Sequence, residues 1–171
     1  MELFLNGTSL GTRDWTGVKE THLAWQVPYA PGTLRAVARK GGKVVAEDRV
    51  ETTSAPARIE LQVDRGSIRA DGQDLAFVTV RILDGRGRLS RADGNHLVRF
   101  SLSGGGSIAG VDNGDPTNHE SFKGSTPTAA QHKSFHGLQM VIVRAPRSSA
   151  TLTLRAEAEG LAPASATIRV R

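Results

Sequence analysis

With 171 residues, 38% of them hydrophobic, the chain can build one large domain or two small ones. No apolar run approaches the roughly 18–20 residues of a membrane-spanning helix, so no membrane partner is expected. Cysteine is absent, which excludes disulfides and thiolate-held metals and leaves the compartment open. The 22 Lys and Arg outnumber 17 Asp and Glu for a formal charge of +5, but the basic residues stand singly on alternating segments, as at Arg35, Arg39, Arg81, Arg99 and Arg169. With no block of like charge and only 5% aromatic residues to stack on bases, nucleic acid is not an expected partner.

The start, Met1-Glu2-Leu3-Phe4-Leu5-Asn6-Gly7, has no basic leader, long apolar stretch or small-residue cleavage site, so it does not read as a signal peptide. It reads as a strand running into an Asn-Gly hairpin turn, as if the chain began inside a domain. Thr12–Lys19 is polar and holds Trp15. Leu23, Trp25 and Val27 alternate with His22, Ala24 and Gln26, which predicts a second strand with Trp25 in the core. Pro28-Tyr29-Ala30-Pro31-Gly32 then breaks it, because proline cannot donate to a ladder. Leu34, Ala36 and Ala38 alternate with Arg35, Val37 and Arg39, and a Gly41-Gly42 turn leads to a strand near 43–51.

Thr52-Thr53-Ser54-Ala55-Pro56-Ala57 is small, polar and proline-interrupted, and predicts a linker. Strands resume at Ile59–Val63. Ala76, Val78, Val80 and Ile82 share one face of a long strand, with Phe77, Thr79 and Arg81 opposite, and Asp84-Gly85-Arg86-Gly87 turns the chain. Val98, Phe100 and Leu102 alternate in the next strand. The glycines at 104–106 precede a short strand over 107–111, and strands over 138–143, 151–158 and 165–170 complete the pattern. No i, i+3, i+4, i+7 apolar pattern persists for three turns. The expectation is an all-β fold of two tandem immunoglobulin-like β-sandwich modules. The first, 1–54, offers about five strands, a marginal core that leans on a neighbour; the second, 55–171, has about seven and can close a core alone.

Glu2-Leu3-Phe4-Leu5-Asn6-Gly7, Ser9-Leu10-Gly11 and Trp25-Gln26-Val27-Pro28-Tyr29-Ala30-Pro31-Gly32-Thr33-Leu34 resemble the small β-domain that follows the barrel in bacterial β-galactosidases of glycoside hydrolase family 2. Ala70-Asp71-Gly72-Gln73-Asp74-Leu75, Val98-Arg99-Phe100, Gly110-Val111-Asp112-Asn113-Gly114-Asp115-Pro116-Thr117, Phe122-Lys123 and Lys133-Ser134-Phe135-His136-Gly137-Leu138 resemble the C-terminal immunoglobulin-like domain of the same enzymes. Relative to that family the first module starts late, so a truncated N-terminus is expected, and 125–131 stands out as an extra polar loop. The resemblance implies a parent enzyme, periplasmic or secreted, that hydrolyses β-galactosides with two glutamates at barrel strand ends. No residue of this chain inherits those roles. It further implies that the barrel is a partner in cis.

Glycoside hydrolysis normally needs two carboxyl groups facing each other across the scissile bond, about 5–5.5 Å apart in retaining enzymes. No catalytic residue and no cofactor is expected here. The densest polar group is Asp112, Asn113, Asp115, Asn118, His119 and Glu120. Its spacing fits no calcium-binding EF-hand loop. It reads as a capped turn or a docking surface for the barrel, ahead of a sugar or calcium site. His132 and His136 stand four apart, a metal spacing only on a helix, and read as surface loop. Trp15 is a candidate sugar contact, since exposed rings stack on the apolar face of a pyranose. The functional expectation is therefore an accessory, non-catalytic pair of modules that braces the barrel or shapes oligomer contacts, including self-association, and substrate access. Two alternatives stand beside it: an independent carbohydrate-binding module, and a surface-adhesin repeat suggested by the Ala70–Leu75 pattern.

Overall fold

A computed structural model describes residues 1–15, 17, 21–92 and 95–171. Thr16, Val18 and Lys19 of the polar stretch around Trp15 lie outside that set. The described residues form strands and no helix, as the alternation requires. They divide into two compact units, Met1–Thr52 and Thr53–Arg171.

The first unit is one antiparallel sheet of order β2-β1-β3-β4, with β1 Glu2–Leu5, β2 Thr8–Thr12, β3 Thr33–Lys40 and β4 Lys43–Glu51. Asn6 and Gly7 take φ of 52° and 85°, the positive values of a tight hairpin turn between β1 and β2. The Asn6 side chain reaches across to the β3 entry. Its Oδ1 accepts from Thr33 N at 2.8 Å and its Nδ2 donates to Pro31 O at 3.0 Å. Two expectations need correction. Leu23–Val27 is not a strand: Leu23, Trp25 and Val27 alternate as half-buried against exposed neighbours, but no ladder partner pairs with them among the described residues. Trp25 is accordingly half-buried, with the Arg13 guanidinium 5.4 Å from its ring centroid. On β3 the buried residue is Val37, on the face assigned to Arg35 and Arg39. Ion pairs of those arginines with Glu47 and Glu2 flank it, because antiparallel pairing sets Val37 beside Glu2 and Glu47.

The second unit is a sandwich of two sheets. One has order β5-β7-β11-β9, from β5 Pro56–Val63, β7 Leu75–Asp84, β11 Leu138–Arg144 and β9 Ser107–Asp112. The other has order β10-β8-β12-β13-β6, from β10 Ala129–Lys133, β8 Leu97–Ser103, β12 Ala150–Glu157, β13 Ala164–Val170 and the short parallel β6 Ser67–Ile68. Side chains alternate across each strand, so the inward sets Val78, Val80 and Ile82, Val98 and Phe100, Val141 and Val143, Leu152 and Leu154, and Ile168 meet in one apolar core. The segment expected as an extra polar loop over 125–131 ends in strand: β10 starts at Ala129 and pairs with β8 through Ala130↔Phe100 and His132↔Val98.

Candidate functional site: an apolar groove with a polar rim

On the outer face of the β5-β7-β11-β9 sheet, register alone assembles the site. Phe77 of β7 lies opposite Ile142 of β11, and Thr79 opposite Met140. On its other edge β11 meets β9, with Ile142 opposite Gly110 and Met140 opposite Asp112. A bulge falls at Ala109, where the register shifts between Ile142 and Val143. Past β9 the chain folds back, and Val111 N donates to Phe122 O at 2.9 Å, setting the Phe122 ring beside this face. Gly110 contributes no side chain between Phe122 and Ile142. The result is a groove of about 570 Å³ bounded by Thr79, Gly110, Asp112, Phe122, Met140 and Ile142 among others. Phe122 is 58% exposed, Met140 40% and Phe77 37%. Large apolar side chains on an outer sheet face normally meet water only when a partner is missing.

The rim carries the predicted polar cluster, and its residues are occupied with their own backbone. Asp112 Oδ1 accepts from Asn113 N at 2.7 Å and Gly114 N at 3.3 Å. Asn113 Oδ1 accepts from Asp115 N at 2.9 Å while its Nδ2 donates to Lys133 O at 3.0 Å. Asp115 Oδ1 accepts from Thr117 N at 2.9 Å and from the Thr117 hydroxyl at 2.8 Å; those two bonds hold its carboxyl below the usual range. Asn118 Oδ1 accepts from Glu120 N at 2.6 Å. Of the predicted residues, Asp112 and Asn113 line the groove, Asp115 and Asn118 shape the loop behind it, and His119 is exposed. Trp15 belongs to the first unit and is 64% exposed.

Three features escape a reading of the sequence. Glu120 fastens the loop to β10: its Oε2 accepts from Lys133 N at 2.8 Å, which keeps its carboxyl low, and lies 3.5 Å from His132 Nδ1. His132 is not surface loop but fully buried on the inner face of β10, with Nδ1 donating to Lys133 O at 2.9 Å. Its neighbour in spacing, His136, is exposed in a turn at φ 49°, so the two imidazoles share no face. Among the described residues no cluster of three or more His, Asp or Glu is disposed to hold a metal ion. The third feature is the groove itself. Its signal was present in Leu138–Val143 and Leu75–Leu83, where apolar residues occupy both faces of the strand rather than one.

Comparison with known proteins places this geometry in context. The profile described as glycoside hydrolase family 2 C-terminal domain 5 matches residues 59–167, and that of a domain of unknown function (DUF4982) matches residues 1–46. The β-galactosidase BoGH2A of Bacteroides ovatus is 42% identical over 161 residues, which is 94% of this chain and 18% of that protein. A crystal structure of a glycosyl hydrolase family 2 member from Bacteroides cellulosilyticus superposes with a TM-score of 0.92 at 36% identity, covering 99% of this chain and 21% of that one. A β-glycosidase from Bacteroides vulgatus gives 0.84 at 30% identity, covering 99% and 21%. The chain thus spans about a fifth of the length of these relatives.

Proposed function

The chain belongs to the glycoside hydrolase family 2 C-terminal domain 5 family, and from that premise we propose that it is a non-catalytic accessory segment of a family 2 glycosidase. Its work is to brace the catalytic barrel, or to shape oligomer contacts and substrate access. The observation that carries this reading is that nearly the whole chain matches about a fifth of a β-galactosidase. The electrostatics support it. A glycosidase needs one carboxyl group held protonated near neutrality to act on the leaving oxygen. Among the described carboxyl groups, those of Glu2, Asp71, Asp74, Asp84, Asp115 and Glu120 are displaced, and every displacement is downward. Groups tuned in that direction stay ionised and accept hydrogen bonds, Glu2 from the Ser9 hydroxyl and Arg39 and the others from backbone N–H groups; they are not poised to deliver protons. The parent reaction this reading assigns is hydrolysis of β-galactosides, by residues outside this chain.

An assay of the chain on a chromogenic β-galactoside tests the proposal, with no turnover above buffer expected. Measurable turnover would overturn it. A second reading, an independent carbohydrate-binding module, draws on the exposure of Trp15. Calorimetric titration with galactose and galactans separates the two: heat that disappears in Trp15→Ala favours the second, and silence favours the first.

A further inference from the structure

The two outer faces of the second unit are chemically unlike, and the contrast points to one of them as a docking face. Outward from β8, β10, β12 and β13 stand Arg99, Ser101, Gln131, Thr153, Arg155 and Arg169, the polar side of an ordinary half-solvated sheet. Outward from β7, β11 and β9 stand Phe77, Thr79, Ile142, Met140 and Gly110, with Phe122 at the edge; this apolar patch is bordered on the same face by Arg81 paired with Glu60 of β5, by Asp112 and by Arg144. We propose that the groove over Gly110, walled by Phe122, Met140 and Ile142, is the seat for an apolar element of the glycosidase body carried on the same polypeptide. This rests on the accessory reading above and names the surface through which the bracing acts.

Three observations select that occupant. The relatives carry this segment as about a fifth of their length, so in them a body roughly four times larger is covalently attached to it. Among the described residues the groove is a small patch of β7, β9, β11 and the Phe122 loop, whereas a stable interface between separate molecules uses about 20–30 residues on each side. A tethered partner needs less contact, because a short link supplies an effective concentration of millimolar order. Third, the walls that the groove offers an occupant are apolar, Phe122, Met140 and Ile142, and its polar atoms sit at the rim. Both functional atoms of the Asn113 amide and Oδ1 of Asp112 are already bonded within the loop and to β10. The broad apolar wall suits a Leu, Phe or Met side chain, and the lactose arm of the test below separates that occupant from a pyranose stacked on Phe122.

Met140 reports on the seat directly, since the sequence has two methionines and the other is Met1. Oxidation of Met140 by dilute hydrogen peroxide is followed by mass spectrometry in the 171-residue chain and in the full-length glycosidase polypeptide. The groove is then filled by Gly110→Leu. A Cβ at Gly110 meets nothing nearer than Phe122 O at 3.6 Å, so the substitution adds bulk without disturbing the sheet. Phe122→Ala removes a wall instead and guards against a folding defect in the first variant. The expected result is that oxidation is about tenfold slower in the full-length protein, the ratio for a contact of roughly 0.1 mM intrinsic affinity presented at millimolar effective concentration. In each variant the rate in the full-length protein should rise to that of the short chain carrying the same substitution, whatever that substitution does to the short chain's own rate. Equal rates in the two wild-type proteins overturn the proposal, as does protection that survives both variants. Protection of the short chain that grows with its own concentration, or on adding lactose, overturns it too, by assigning the groove to a second copy or to sugar. Turnover of a galactoside by the short chain would sink the accessory reading without touching the Met140 result, so the two failures can be told apart.

Discussion

A carboxylate shut away from water survives only if hydrogen bonds replace its hydration, and Asp84 collects them from three directions. Its Oδ1 accepts from the backbone N–H groups of Arg86 and Arg88, each at 2.9 Å. Its Oδ2 takes Arg88 Nε at 2.9 Å, Arg88 Nη2 at 2.7 Å, and the N–H and hydroxyl of Ser54 at 3.1 and 3.2 Å. Burial alone would push this carboxyl up, yet the bonds from Arg88, Ser54 and Arg86 outweigh it and hold it far below the ordinary 3.8. Because the folded state prefers the ionised form, Asp84 stabilises the fold fully above the unfolded-state value, and that contribution fades as pH falls through and below it. Asp84→Asn should therefore lower the melting temperature at pH 7, by a gap that stays flat down to about pH 5 and closes below about pH 4. Thermal melts of both proteins across that range check it, and a gap that widens in acid would contradict the account. Little of this is legible beforehand. Asp-Gly-Arg-Gly announces a turn at Asp84, but the burial depends on Ser54, thirty residues earlier, closing over the same oxygen. His132 hides for a related reason: between Ala130 and Ser134 it has no strongly apolar companions to mark an inner face.

Strands show the opposite balance, because period-two alternation carries across a whole element even where one residue misleads. Val78, Val80 and Ile82 on β7, and Val98, Phe100 and Leu102 on β8, face inward as their spacing predicts. Alternation at Leu23–Val27 is equally clear and yields no strand. A ladder needs a neighbouring strand as well as a pattern: the inner edges of this sheet are taken by β1 and β3 pairing with each other and with β2 and β4, and Leu23–Val27 pairs with neither outer strand. Alternation also tells what each position costs to change. Leu154 is wholly buried at the centre of the second sheet, with β8 on one side and β13 on the other. Leu154→Ala should cost about 2–5 kcal/mol in urea unfolding of the chain, the usual loss when a cavity opens in a packed core. Met140 points out of the other sheet, and Met140→Gln should change stability by no more than about 0.5 kcal/mol. Should Met140→Gln prove as damaging as Leu154→Ala, Met140 would belong to the core and the groove would not be a surface.

At the scale of the whole chain, the two units differ in how much they can hold by themselves. In the first, Leu3 and Val37 are the buried hydrophobic residues among those described, and Val44, Val45 and Val50 along its edge strand β4 are each more than half exposed. Backbone ladders and exposed ion pairs such as Arg39–Glu2 are left to offset the chain entropy of 52 residues, and surface pairs contribute little. The second unit buries Val78, Val80, Ile82, Leu152, Leu154, Ile168 and their neighbours in one continuous cluster between two sheets, the arrangement that lets an immunoglobulin-like sandwich fold alone. Stability should be unevenly shared as a consequence. A chain cut to residues 53–171 should unfold in a single cooperative transition at nearly the temperature of the main transition of the full 171. A peptide of residues 1–52 should show neither dispersed amide resonances nor a thermal transition. In the intact chain the amides of β2 and β4 should exchange with deuterium well before those of β7 and β12. Uniform exchange across both units would mean that the sheet of the first draws on packing its own side chains do not supply.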